Sequence, residues 1–260
     1  MKRWAAGVEY LGTGYAGWQA LPGIRSVQAT LEAALARVAD HPVRVVAAGR
    51  TDAGVHALQQ VVHFDSAAER SAYAWLLGTN SCLPPDISLR WLQEVPQDFH
   101  ARHHAFARRY RYLIHNHPAR SASLHQRATW WPRRLDAEAM HAAAQVLVGE
   151  HDFSAFRDSQ CQSPTPVRLL HSLEIWRRAD FVVLDIRANA FLHHMVRNIA
   201  GTLAEVGWGR RPAAWVAEVL QGGDRRLAGR TAAPEGLYFV GPEYPAAYRL
   251  PDPPPPWFPA

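Results

Sequence analysis

One carboxylate in this chain stands between two glycines and beside an arginine: Gly49-Arg50-Thr51-Asp52-Ala53-Gly54, inside a run from Ala47 to Ala57. Glycine reaches backbone angles closed to other residues, so a tight loop can aim a side chain outward. An aspartate aimed this way, with a guanidinium nearby, is held ionised and can act as a nucleophile or a base. The plainer reading is that Asp52 caps a turn, as many Gly-adjacent aspartates do. Strand-like Gln59-Gln60-Val61-Val62-His63-Phe64 follows at once, so the loop joins two strands.

Two other places carry polar chemistry. From Phe99 to Leu135 there is no Asp or Glu, against eight arginines and six histidines. Phe99, Phe106, Tyr110, Tyr112, Trp130 and Trp131 are interleaved with them. Arginine pairs with phosphate in a planar fork and stacks on bases, so cations among rings suit a folded RNA. An arginine-rich composition alone explains the arginines but not the missing acids. The second place is Phe191 to Val206, read as a helix with Phe191, Leu192, Met195, Val196, Ile199, Leu203 and Val206 on one face. His193, His194, Arg197, Asn198 and Glu205 fall on the other.

Two motifs are set aside. Gly12-Thr13-Gly14-Tyr15-Ala16-Gly17 matches a dinucleotide fingerprint, but Pro22-Gly23 breaks the chain before a helix can open on the phosphates. A loop lining a substrate cleft is expected there, and no nucleotide cofactor. His100, His103 and His104 lack a nearby Cys or acid to complete a zinc shell and are expected to touch RNA.

The elements that must position these groups alternate. Ala5–Leu11 reads as a strand, and Ser26 caps a helix with Leu31, Leu35 and Val38 at helical spacing. Strands are expected at 43–48, 58–64, 87–95 and 109–115, with a helix over 70–77. Asp136 opens a helix that runs to Val148, 171–178 and 181–187 form a hairpin around Ala179-Asp180, 213–220 is helical, and 237–241 is the last strand. Short helices among mostly antiparallel strands predict an α+β fold of two similar units: 1–104, 105–248, and a Pro-rich tail at 249–260 outside the core.

Composition agrees with a globular, soluble chain. Its 260 residues are 48% hydrophobic, with no apolar run near the roughly 20 residues that cross a bilayer. The first residues lead into a strand with no signal-peptide pattern. The two cysteines, Cys82 and Cys161, make neither a zinc site nor a disulfide framework, which fits a reducing cytoplasm. A net charge of +5 favours an anionic partner, and all but one of the basic side chains are arginine.

Several blocks together resemble the TruA family of tRNA pseudouridine synthases. They are Gly17-Trp18-Gln19, Gly49 to Ala57, Asp98-Phe99-His100-Ala101-Arg102, Arg108-Arg109-Tyr110-Arg111-Tyr112, Asn189 to Asn198, and Glu235-Gly236-Leu237-Tyr238, in family order. Leu11 departs from the family, which usually has an acid after the first-strand tyrosine. The resemblance implies two ferredoxin-like α/β halves with joined, mainly antiparallel sheets and a basic cleft between them, working as a homodimer. It implies a cofactor-free, metal-free isomerase that converts uridine to pseudouridine at positions 38, 39 and 40 of the tRNA anticodon stem-loop. Asp52 would be the catalytic carboxylate, Arg197 its partner, and Tyr110 the ring stacked on uracil. Arg50 would hold the place of the displaced base, and Leu237 would pack in the pocket. The remaining substrate contacts expected are Arg70, Phe99, His100, Arg102, His103, Arg109, Gln160, Cys161, Gln162 and Ser163. The carboxylate could attack the sugar, attack the base or remove a sugar proton. A stacked base cannot be turned, so the nucleotide must first leave its helix, at a cost of a few kcal/mol.

Overall fold

The computed structural model describes residues 1–255 and divides them into two units, 1–106 with 239–255, and 107–238. Residues 256–260 of the Pro-rich tail lie outside the described residues. The fold is α+β with mainly antiparallel sheets.

The first unit holds β1 (Lys2–Tyr10), α1 (Val27–Ala39), β2 (Val46–Ala47), β3 (His56–Ser66), α2 (Ala72–Cys82) and β4 (Ile87–Val95). Ser26 caps α1 by accepting from the Ala29 N–H, and Ser71 caps α2 through Ala74 N–H. Each side chain satisfies an amide that the first turn leaves unbonded. Helix α1 buries Val27, Leu31, Ala34 and Leu35. Trp75 of α2 sits fully buried against Trp4 and Phe64, with ring centres 6.3 and 5.3 Å away.

The sheet order in this unit is β4-β1-β3-β10, where β10 (Leu237–Glu243) arrives from the far end of the chain. This is the ferredoxin-like plan, except that β2, the strand following α1, pairs β3 over only two residues, and β10 is the full-length neighbour of β3 in the sheet. The return explains why 239–255 belong here and not to a continuous 105–248 unit: alternation marks a strand but carries no record of the sheet it joins. The tail is drawn in as well. Leu250 packs on the cluster around Phe99, and Pro251 O accepts from Gln59 Nε2 at 2.9 Å, so these residues, expected outside the core, cover part of it.

The second unit contains β5 (Ala107–His115), β6 (Thr129–Trp130), α3 (Ala137–Ala144), β7 (Gly149–Asp152), β8 (Val167–Arg178), β9 (Phe181–Ala188), α4 (Met195–Gly207) and α5 (Trp215–Gly222). Strands run β5-β9-β8-β7, with β6 parallel to β5. The β8–β9 hairpin turns at Ala179, whose φ of 49° is left-handed. Helix α4 begins four residues later than the apolar spacing predicts. His194, at φ 61°, breaks the right-handed run, and a turn closed by Met195 N–H to Leu192 O precedes the helix. Phe191 and Leu192 keep helical spacing to Met195 and Val196, which conceals the break. Asn198, expected on the polar face, is buried instead; it donates to Phe156 O and accepts from Arg225 and Thr231.

Candidate active site

The Asp52 loop is held from four sides within the first unit. Val55 N–H donates to Asp52 O, closing a turn in which Gly54 has φ 79°. Asp52 thus does sit at a turn, as the plainer reading had it, and its side chain is only half-buried. Thr51 is buried: its hydroxyl meets the Tyr10 hydroxyl at 2.8 Å, and its carbonyl accepts from Trp18 N–H at 3.0 Å. Burial pushes the Tyr10 phenol well above its ordinary range, so it stays neutral. Behind the loop, Gln60 Nε2 donates to Gly49 O, and His56 Nδ1 accepts from Gly12 N–H, which makes that nitrogen the unprotonated one. Arg50, two residues before Asp52, is exposed.

The false dinucleotide motif has its explanation here. Only a 3-10 turn forms at Gly12–Gly14, and the glycines serve close packing against the Asp52 loop. A Cβ on Gly12 would lie 1.9 Å from Val55 O. On Gly17, at φ 92°, it would meet Thr51 O at 2.8 Å and Ala53 N at 3.2 Å. Both contacts are to backbone, which cannot swing aside. Gly17→Ala should therefore lower unfolding free energy by about 1–3 kcal/mol and reduce activity further by displacing Asp52. Urea denaturation and turnover measured on one preparation check this; full stability with full activity contradicts the packing.

Of the expected RNA contacts at the end of β4, some are exposed and one is not. Phe99 is fully buried against Tyr244 and Tyr248, so the expectation that its ring meets RNA is corrected. An aromatic residue in a basic stretch looks the same in sequence whether it faces in or out. Arg102 and His103 are exposed, and His100 Nδ1 accepts from both their backbone N–H groups at 3.2 Å. Arg70 is exposed just before the cap of α2.

Beneath them His63 accepts from Ala101 N–H at 3.1 Å, with the His100 ring centre 4.8 Å away. Burial, then the positive charge of His100 and Arg3, pushes His63 down to about 4. The unfolded chain, with His63 near 6.5, then binds more protons than the folded one between these values. Stability should fall as pH drops from about 6.5 to 4, and His63→Gln should flatten that slope in urea titrations. A slope unchanged by the substitution contradicts this.

In the second unit, Tyr110 on β5 is buried edge-on against Phe191, 5.0 Å between ring centres. Arg197 lies in the first turn of α4. Its Nε donates to Ala232 O, while Ala232 N–H returns a bond to Arg197 O. The neighbouring carbonyl, Ala233 O, accepts from the Tyr112 hydroxyl at 2.8 Å. One dipeptide thus ties α4 to β5 immediately before Leu237, the buried first residue of β10. Gly201 permits the approach: a Cβ there would lie 1.8 Å from Arg230 O.

Arg109 is less available than expected. It makes a bidentate pair with Asp185, which also takes Arg111. Such a pair leaves little of its fork for phosphate. The 160–163 segment is exposed at Gln160 and Gln162, and half-buried at Cys161 and Ser163. Arg157 clamps it through the Cys161 and Ser163 carbonyls. Burial pushes the Cys161 thiol up, but the His193 and Ser163 N–H groups and Arg157 together bring it below its ordinary value. Asp158 joins this segment to α4, bonding His194 Nδ1 at 2.8 Å.

The sequence of the chain matches the family described as tRNA pseudouridine synthase over residues 6–104 and 143–245. It is 55% identical to tRNA pseudouridine synthase A of Cronobacter sakazakii over 96% of this chain and 93% of that protein. The chain belongs to the tRNA pseudouridine synthase family. Its identity to the proteins of the same name from Pectobacterium atrosepticum and Escherichia coli O1:K1 is 54%, over 96% of this chain in each case and 88% and 93% of theirs. For the family, an isomerase of uridine to pseudouridine, the matched stretches include Asp52, Arg197 and Leu237, while Tyr110 lies between them. No helix among the described residues is long and apolar enough to cross a membrane.

The residues missed from sequence are supports: Tyr10, Thr51, Gly12 and Gly17 around Asp52, and Tyr112 and Gly201 around Arg197. Gly12 and Gly17 were visible as a motif, and their meaning was lost because no pattern shows which loop lies against them.

Proposed function

We propose that this chain converts uridine to pseudouridine at positions 38, 39 and 40 of the anticodon stem-loop of tRNA, with Asp52 as the catalytic carboxylate. The N1–C1′ bond breaks and a C5–C1′ bond forms, while C5 loses a proton and N1 gains one. Base and sugar are both retained, and no redox partner or cofactor is required. The observation that supports this most is the Asp52 turn: a carboxylate half open to solvent, on a loop fixed by Tyr10, Trp18, His56 and Gln60. Held to fixed elements, a catalytic group loses little orientational freedom when the substrate arrives.

In this reading Arg50 fills the place of the displaced base and Tyr110 stacks on uracil. Leu237 packs beside it, and Arg197 balances the Asp52 charge. Each base–aromatic stack contributes roughly 1–3 kcal/mol, comparable with the cost of flipping. Arg70, His100, Arg102, His103, Gln160, Cys161, Gln162 and Ser163 contact the anticodon arm. Arg109 adds little there because Asp185 already neutralises it. The enzyme works as a homodimer in the cytoplasm, with tRNA as its partner and no membrane.

Unmodified tRNA transcripts carrying uridine at positions 38, 39 or 40 test the site assignment. After incubation, pseudouridine is mapped along each transcript. Modification at those three positions alone supports the reading, and modification elsewhere overturns it.

A further inference from the structure

Beyond the end of α4 lies a basic surface that the proposed reaction does not use. Arg210 stacks over Trp208, its guanidinium carbon 3.4 Å from the ring centre, and Arg133 approaches the same ring at 5.2 Å. Arg211 lies over Trp215 at 5.1 Å. Trp131 meets Trp208 edge-on at 5.9 Å. Two backbone bonds build the patch: Asp136 N–H to Gly207 O brings the Arg133 segment to the helix end, and Arg210 N–H to Glu205 O folds the chain back.

We propose that Arg133, Arg210 and Arg211, mounted on these rings, bind the sugar-phosphate backbone of substrate tRNA away from the nucleotide being modified. The proposal rests on the reading above that the chain acts on tRNA. A guanidinium held over an indole by cation–π attraction keeps N–H groups for a further partner, so it is placed for phosphate before RNA arrives. Among the described residues, no carboxylate lies within ion-pair distance of Arg133 or Arg211, and Arg210 reaches Glu205 only at 3.9 Å. A structural role for the charges is too small to account for them. The end of α4 offers about half a negative charge, and Glu205 one more, against three guanidiniums.

The patch begins at Trp208, about 16 Å along α4 from Arg197 at 1.5 Å per residue. RNA on it therefore contributes binding, not chemistry.

The test replaces all three arginines with glutamine and measures the dissociation constant of an unmodified tRNA transcript across a series of salt concentrations. Affinity should fall about tenfold or more at low salt, and the slope of log K against log salt should become shallower by about two to three. The kcat at saturating tRNA should stay at the wild-type value. Lysine at the same positions should restore most of the slope, which a purely structural role for the stacked guanidiniums would not do. Unchanged affinity and slope overturn the proposal. So does a variant that differs from wild type in sedimentation, since the patch would then join copies of the chain. Should wild type bind with this dependence and form no pseudouridine, the catalytic reading fails while the patch stands.

Discussion

Asp52→Asn should lower turnover by roughly 10⁴-fold or more while leaving tRNA affinity within about twofold. Asparagine keeps the size of the side chain, and the contacts that hold the loop come from its neighbours: Thr51 with Tyr10, Thr51 O with Trp18, and Gly12 with His56. What is lost is the charge and the basicity that any of the three chemical roles requires. Asp52→Glu restores the charge but extends the side chain by one methylene, and a misplacement near 1 Å costs about 100-fold. Tritium release from C5-labelled tRNA, with filter binding alongside, measures both quantities. Turnover by the asparagine variant close to wild type would remove Asp52 from the reaction.

The second large effect is expected at Arg197. Arg197→Met should reduce kcat by about 10²–10³-fold, the scale seen when a preorganised charge partner is removed. Lysine should rescue little of it. The Nε bond to Ala232 O anchors one edge of the guanidinium, whereas an ammonium has no second edge to anchor. Single-turnover rates at saturating tRNA separate this from weaker binding. Full rescue by lysine would mean that charge alone matters and that the Ala232 anchor is incidental.

The parts of this fold written in local pattern were legible. Ser26 and Asp136 announce their helices as caps, and Ile87–Val95 is bounded by Pro84-Pro85 on one side and Pro96 on the other. Long-range facts were not. Nothing in Leu237–Glu243 says that it takes a place beside β3, because strand partners are chosen by surfaces far away in sequence. His194 reads as helical since the apolar spacing on either side of it is helical; only its backbone angle ends the run.

The candidate site divides the same way. Asp52 was conspicuous because glycines flank it, whereas Arg197 shared a polar face with His193, His194, Asn198 and Glu205 and was singled out only by the family resemblance. Phe99 and Arg109 were misjudged for opposite reasons. The buried ring of Phe99 sits in a run of histidines of which His103 is exposed, and the arginine is neutralised by Asp185, which lies opposite Arg111 on a neighbouring strand. A stretch without acids in sequence can still be given one by its sheet.

The account is tested most directly by the fate of the base itself. Wild-type enzyme and an unmodified tRNA transcript, with no added cofactor, are incubated, and the digest is resolved into nucleosides and free base by mass spectrometry. Pseudouridine should appear in place of an equal amount of uridine, with no uracil released. Free uracil would mean a hydrolase, and unchanged uridine a protein that binds RNA without rearranging it.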